Sequence, residues 1–297
     1  MRCVYDPLSG RESQFDYSPK RVHRFAVIGG GPAGLEFARL ASSLGSKVTL
    51  FERAAQLGGR LREWAQLPNR NRIAHAIRFW EECMLHPNVT LHLGTVAPPP
   101  DALLNNVDFV VLACGGQQKV PEHDFAGTNV ISRTVDEVFS PDIEWGQRKV
   151  VVMEADRFGD PLGIALYLRE RGAHVTVVCP FSEIGLGLDP VTRASRITSL
   201  HRAKIQAFEW SDARPLGNQS VLVWNHAENT DFQIDGVTDM IWCVNPLPAE
   251  QVSAIRSDRR IVPIGDALLA RGLEDATKQG HDLAYELICG ILEGNNR

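Results

Sequence analysis

The sequence predicts an α/β fold built from two similar units, the second inserted into the first. Two observations carry that prediction. A strand–helix–strand pattern occurs over Arg24–Glu52 and again over Arg148–Pro180, the strand starts at Phe25 and Lys149 lying about 124 residues apart. Roughly thirty residues is the length of a βαβ unit. Strand and glycine signals of the first kind then resume near the C-terminus, in IVPIGDA (Ile261–Ala267), which makes the second unit an insertion.

Taken in order, residues 1–22 are polar and turn-rich and read as an arm. FAVI is a short buried strand. From Phe37 the apolar residues run Phe37, Leu40, Ala41, Leu44, the i, i+3, i+4, i+7 spacing of a helix face. Gly45 is a helix stop, and KVTLF is the next strand. A helix is expected over Ile73–Met84, before the proline cluster Pro98–Pro100, and DFVVLACGG (Asp108–Gly116) is a strand ending in glycines. The second unit has a strand at 149–153, a helix with Leu162, Ala165, Leu166 and Arg169 in register, a stop at Gly172 and a strand at 175–178. Residues 205–239 read as a β meander, GVTDMIWCV as a strand, and RIVPIGDALLA as a strand leading into a long C-terminal helix. The expected division is therefore an arm at 1–22, a first domain of 23–125 plus 240–297, and a second domain of 126–239.

The composition fits: 297 residues, 44% hydrophobic and 23% charged, are ordinary globular values in a chain long enough for two domains. A net charge of -5 without a basic, aromatic-interleaved cluster argues against nucleic acid. No run approaches the ~18 apolar residues that read as a membrane span, and the start lacks a signal-peptide core. The six cysteines (Cys3, Cys83, Cys114, Cys179, Cys243, Cys289) include no CxxC pair. They are expected to be reduced thiols of a cytoplasmic chain, and the simplest dithiol exchange with a flavin is excluded.

The chemistry is concentrated in GGGPAG (Gly29, Gly30, Gly31, Pro32, Ala33, Gly34), which follows a strand, opens a helix and is trailed by Glu52 at the next strand end. That context completes the Rossmann dinucleotide fingerprint. Gly29 permits the tight turn, Gly31 the approach of a pyrophosphate and Gly34 close helix–sheet packing. The helix start offers amides and positive partial charge to the phosphates. Glu52 would accept from the adenosine ribose, and its charge disfavours a 2′-phosphate. The alternative is a glycine-rich turn that binds nothing.

Further candidates follow. Arg53 stands beside Glu52, and Gly58 and Gly59 make a second close backbone approach, with Arg60 and Arg62 able to neutralise phosphates or to sit in solvent. Ala113, Cys114 and Gly115 resemble the strand-end motif of two-dinucleotide flavoproteins, Cys114 being read as a buried thiol. Gly265 and Asp266 precede the last helix, Asp266 as a cofactor contact or a helix N-cap. Together these favour FAD, or its ADP portion, over NAD. In the second unit the glycine motif is degenerate: MEADRFGDPLG keeps only Gly159 and Gly163 and adds Glu154, Asp156 and Asp160. Negative charge there opposes phosphate, and the next strand ends in Cys179 and Pro180 rather than an acid, so NAD(P)H is not expected.

At VIGGGPAGLEFAR, LFERAAQLGGRL, VVVMEADRFGDPLG, HVTVVCP and IGDALLARGLEDATKQGHDLA the chain resembles the C-terminal flavoprotein portion of the trimethylamine dehydrogenase and N-methyl amino-acid demethylase branch of the old-yellow-enzyme (NADH:flavin oxidoreductase) superfamily. The resemblance implies an FAD- or ADP-binding subunit of a split amine dehydrogenase or demethylase. An FMN-containing TIM-barrel catalytic subunit would then be a separate chain, and an electron-transfer flavoprotein or similar acceptor would take the electrons. It also implies that CVYDPLSGRE carries the last ligand of a [4Fe–4S] cluster, Cys3. Four thiolates are required, so a partner chain would supply three; otherwise Cys3 is an unligated thiol. Arg271 matches a family arginine, and His281 of the tail either faces the nucleotide or lies on a helix surface. Trp64, Phe79 and Trp80 read as core or interface. No Ser/His/Asp set and no acid–base pair stands out, as suits a chain whose cofactor carries the chemistry. The rival expectations are a non-redox ADP-binding structural subunit and a free-standing NAD(P)H-dependent flavin oxidoreductase.

Overall fold

A computed structural model describes residues 3–120, 127–156, 160–248 and 258–290. The chain divides into two units, one of residues 1–65, 71–117 and 246–297 and the other of residues 66–70 and 118–245.

In the first unit the chain runs β1 (Arg24–Ile28), α1 (Pro32–Ser43), β2 (Lys47–Phe51), α2 (Leu61–Trp64), α3 (Arg72–Cys83), β3 (Val89–His92), α4 (Pro100–Leu103), β4 (Phe109–Leu112) and β5 (Gly116–Gln117). Five strands form a parallel sheet in the order Ile261–Pro263, β4, β1, β2, β3. Phe25, Val27 and Leu50 point to one face and pack with Leu35, Phe37, Trp80 and Ile288, while Ala26, Val110 and Leu112 line the other with Leu103 and Leu104. This two-sided burial is why the strands read as continuous apolar runs rather than alternating ones. Within the core, Glu36 accepts from Trp80 Nε1 (3.1 Å) and from Arg39 (2.6 and 2.9 Å), so the buried carboxylate is paired, as burial of a charge requires.

The second unit contains β6 (Ile131–Thr134), α5 (Val135–Val138), β7 (Lys149–Glu154), α6 (Pro161–Glu170), β8 (His174–Val178), α7 (Pro190–Arg202), β9 (Gln206–Phe208), β10 (Ser211–Leu216), β11 (Ser220–Asn225), β12 (Thr230–Asp235) and β13 (Asp239–Cys243). Its parallel sheet has the order β6-β13-β7-β8-β9, and β10-β11-β12 form an antiparallel meander. Two sequence expectations change here. β9 pairs in parallel with β8, so the meander is shorter than 205–239. β13 pairs between β6 and β7, so residues 240–245 belong to this unit, not to the first, as do 66–70 and 118–120, which the expected division had also given to the first. The reason is in the side chains: Ile241 and Cys243 are buried with Val150, Val152 and Val177, and Met240 and Trp242 with Val151, Met153 and Val178, all of this unit. Asp239, which leads into them, is fully buried and accepts from Arg133 (2.7 Å) and Arg148 (2.9 Å).

The chain closes with β14 (Leu247–Pro248), β15 (Ile261–Pro263), a short turn Gly265–Ala267 and α8 (Leu273–Cys289). The N-terminal residues, read as an arm, lie along α8. Tyr5, Phe15 and Tyr17 pack on the first core. Phe15 meets His281 and Tyr285 edge-on at 4.7 and 4.9 Å, and the amides of Lys20 and Arg21 donate to the Ile288 carbonyl. His281 is fully buried beneath this segment, with Tyr17 Oη at 2.8 Å from Nε2 and Asp282 Oδ1 at 3.1 Å from Nδ1. It is not a surface residue.

Burial alone would raise the Asp282 carboxyl. Hydrogen bonds from His281 and Lys278, with the charges of Lys278 and Arg11, outweigh it and bring the group down to about 2. Burial pushes the Tyr17 hydroxyl up to about 12. Because Asp282 is depressed in the folded state, its stabilisation is present above the ordinary carboxylate range near pH 4. It is lost as pH falls toward 2. Discounted for solvent screening, it is worth about 1 kcal/mol. Asp282→Asn is therefore expected to be less stable than wild type at pH 6, and denaturant unfolding should show the gap closing between about pH 4 and pH 2. A gap independent of pH would refute the ionic role.

Candidate functional site

The site lies where β1 turns into α1. Gly29 has φ +112, and a Cβ there would stand 2.2 Å from the Ala113 carbonyl oxygen. A Cβ on Gly34 would stand 2.1 Å from the Gly29 oxygen. Both glycines are thus demanded by the protein's own packing. Gly31 differs. It is the N-cap of α1 with extended backbone, φ −82 and ψ 179, and among the described residues a Cβ there would meet nothing within 4 Å. Pro32 follows at the first helical position, and no side chain caps the helix. The amides of Ala33 and Gly34 therefore open a helix start with free space before it, which is the arrangement that takes a phosphate.

Glu52, at the end of β2, is buried. One carboxylate oxygen accepts from Gly30 N–H (2.7 Å), the other from Ala54 N–H (2.8 Å). Its first task is to hold the glycine loop, and each oxygen keeps acceptor capacity for a ribose hydroxyl. Arg53 beside it is exposed. The second glycine pair packs on the first: Gly58 N–H donates to the Gly30 carbonyl (2.8 Å), and a Cβ on Gly59 would lie 3.3 Å from Gly31 Cα.

Arg60 crosses from this pair to the far side of the loop cluster. Its guanidinium lies 3.4 Å from Asp266 Oδ2 and donates to the Gly116 carbonyl at 3.2 Å. Burial raises the Asp266 carboxyl, against the Arg60 charge. Asp266 is inside the Gly265–Ala267 turn, whose N-cap position is Ile264, so the N-cap reading does not hold. Gly265 has φ +61 and donates its N–H to Gln279 Oε1 (2.7 Å). Arg62 donates to the Leu57 carbonyl and to Glu81 on α3, so it is engaged within the protein rather than solvated.

Gly115 has φ +75 and open space about it. Cys114, expected buried, is exposed, because β4 ends at Leu112 and the chain turns out of the sheet. Trp80 is core, Phe79 is half exposed, Trp64 packs partly buried on the first core and Arg271 is exposed. Cys3 is exposed, and among the described residues no group of three or more His, Cys, Asp or Glu could hold a metal ion. Gly159 of the degenerate motif lies outside the described residues. No helix among those described is long and apolar enough to cross a membrane.

Sequence reasoning missed Gly280. A Cβ there would stand 2.3 Å from the Ala33 oxygen and 3.1 Å from the Phe37 nitrogen, so α8 lies directly against the first turn of α1. A lone glycine inside a helical pattern was the available signal.

Comparison with known proteins is consistent with this geometry. The NAD(P)-binding Rossmann-like domain family matches residues 27–90. The chain is 33% identical over 192 residues to the N,N-dimethylglycine/sarcosine dehydrogenase of Chromohalobacter salexigens, covering 63% of this chain and 27% of that protein. It is 29% identical over 296 residues to the NADH oxidase of Thermoanaerobacter brockii, covering 97% of this chain and 44% of that protein. Among solved structures, a 2-naphthoyl-CoA reductase complex superposes with a TM-score of 0.86 at 22% identity, over 96% of this chain and 43% of that one. The chain thus spans between about a quarter and a half of the length of these relatives. It is a mixed α/β protein with parallel sheets that carries a Rossmann-like dinucleotide-binding domain.

Proposed function

We propose that this chain is the nucleotide-binding part of a flavin-linked oxidoreductase that acts on an amine or N-methylated amino acid. The single observation that carries the reading is the uncapped start of α1 with open space at Gly31, beside a buried carboxylate at the end of β2. The glycine cradle fits the ADP half of FAD. Ala33 and Gly34 would meet the pyrophosphate, Glu52 the ribose, and Gly115 with Gly265 would leave room for the rest. FAD, when bound, supplies acceptance of two electrons and their release singly. The fold positions the cofactor and surrounds it with fixed charge. The likeness to an N,N-dimethylglycine/sarcosine dehydrogenase supports the amine class. In this reading an FMN barrel on a partner chain oxidises the substrate, and an electron-transfer flavoprotein or similar carrier takes the electrons.

A second reading is a scaffold that holds ADP without a redox role. It is favoured by the Arg60–Asp266 pair, which engages the two side chains beyond the adenosine half with each other. The visible absorption of the purified chain, with the nucleotide released on denaturation identified, decides. A flavin spectrum with FAD released is the expected result. A colourless protein releasing ADP would establish the scaffold, and neither nucleotide would overturn the cradle reading itself.

A further inference from the structure

We infer that the phosphate position of the second unit is filled by the chain's own Asp160, so that this unit takes no dinucleotide. The inference stands apart from the assignment of FAD to the first unit.

The two units align helix start to helix start. In α1 the N-cap is Gly31, followed by Pro32 and, three residues on, Gly34. In α6 the N-cap is Asp160, followed by Pro161 and, three residues on, Gly163. Asp160 therefore stands where the first unit has Gly31. At Gly31 there is no side chain and the space is open. At Asp160 the carboxylate folds onto the helix, Oδ1 accepting from Gly163 N–H at 2.7 Å. A Cβ on Gly163 would lie 2.5 Å from Oδ2, so the two are in direct apposition.

The other carboxylate oxygen is held by arginines. Oδ2 accepts from Arg196 Nη2 (2.8 Å) and Nε (3.2 Å), and from Arg70 Nη2 (3.1 Å). Asp160 and Arg196 are each only 3% exposed, and Arg196 also donates to the Pro68 carbonyl (2.6 Å). A helix-start amide plus two guanidinium groups is the donor set that recognises a phosphate. Here those donors converge on a carboxylate that is part of the chain. A second anion would have to displace it from buried partners, or sit against its charge. At the end of β7, Glu154 adds a further buried carboxylate, accepting from Gly185 N–H at 2.8 and 3.1 Å. Reducing equivalents from a nicotinamide cofactor consequently do not enter through this unit.

The test uses the whole chain with the first site saturated by its own nucleotide. Nucleotide content is measured separately by release on denaturation, so a failure of the first-unit reading shows independently. NADH is titrated into wild type by calorimetry, with hydrogen exchange read at the start of α6. No binding and no protection are expected. NADH binding that protects the α6 start would overturn the inference without any variant. Asp160→Asn, and Asp160→Ser as a second variant that keeps a good N-cap, leave Arg196 and Arg70 without their counter-charge. Each is expected to gain at least tenfold in affinity for inorganic phosphate, read as a phosphate-dependent rise in melting temperature that wild type lacks. A folded variant with no such gain would refute the stand-in role. If neither variant folds, the wild-type hydrogen-exchange result decides alone.

Discussion

Gly31→Val is expected to lose nucleotide binding while the nucleotide-free protein keeps its stability. The backbone at Gly31 is extended, with φ −82 and ψ 179, a conformation open to a β-branched residue. A Cβ would touch nothing within 4 Å, so the change in stability should stay within about 0.5 kcal/mol. The added methyl groups would nevertheless project into the space before the α1 amides, where the proposed nucleotide's pyrophosphate would approach. Affinity for ADP should fall by roughly 100-fold or more, about 2.8 kcal/mol. Gly29→Val and Gly34→Val make the contrast. Their Cβ atoms would lie 2.2 and 2.1 Å from backbone oxygens, so fold and binding should fail together. Calorimetric titration with ADP, beside thermal unfolding of the stripped protein, separates the two. Wild-type ADP affinity in Gly31→Val would remove the phosphate from this position.

Gly280→Leu is expected to be the most destabilising change outside the nucleotide loop. The helix crossing leaves no room for a side chain, since a Cβ would lie 2.3 Å from the Ala33 oxygen. Overpacking a core typically costs about 1–3 kcal/mol and occasionally more. Because the obstacle is backbone rather than a movable side chain, about 3 kcal/mol is expected. The cost should also reach the site: separating α8 from α1 moves the turn that carries Ala33 and Gly34, so ADP affinity should drop in protein that remains folded. Denaturant unfolding followed by hydrogen exchange in each unit reads both effects, because two units need not unfold as one. Loss confined to β1, α1 and α8, with the second unit unchanged, is the expected pattern. A shift below about 0.5 kcal/mol, the range of an ordinary surface change, would mean that the helices can separate freely.

The sequence by itself determined the α/β class, the parallel strands and the position of the glycine loop. These rest on local spacing: apolar runs for doubly covered strands, the 3.6-residue period of α1, and glycines between a strand and a helix. Such signals report how neighbours along the chain are arranged. They do not report which distant residue a side chain will meet. Only the tertiary structure brought Arg60 to Asp266, 206 residues away, and Arg11 to Asp282, 271 residues away. Only it docked the N-terminal segment on α8, turned Cys114 outward, gave 240–245 to the second unit and set Gly280 against Ala33. Asp160 shows the division within one residue. The sequence displayed an acid where a glycine was expected, and so argued against a phosphate. That the acid occupies the phosphate's place depends on Arg196 and Arg70, 36 and 90 residues distant, which periodicity cannot pair and close packing does.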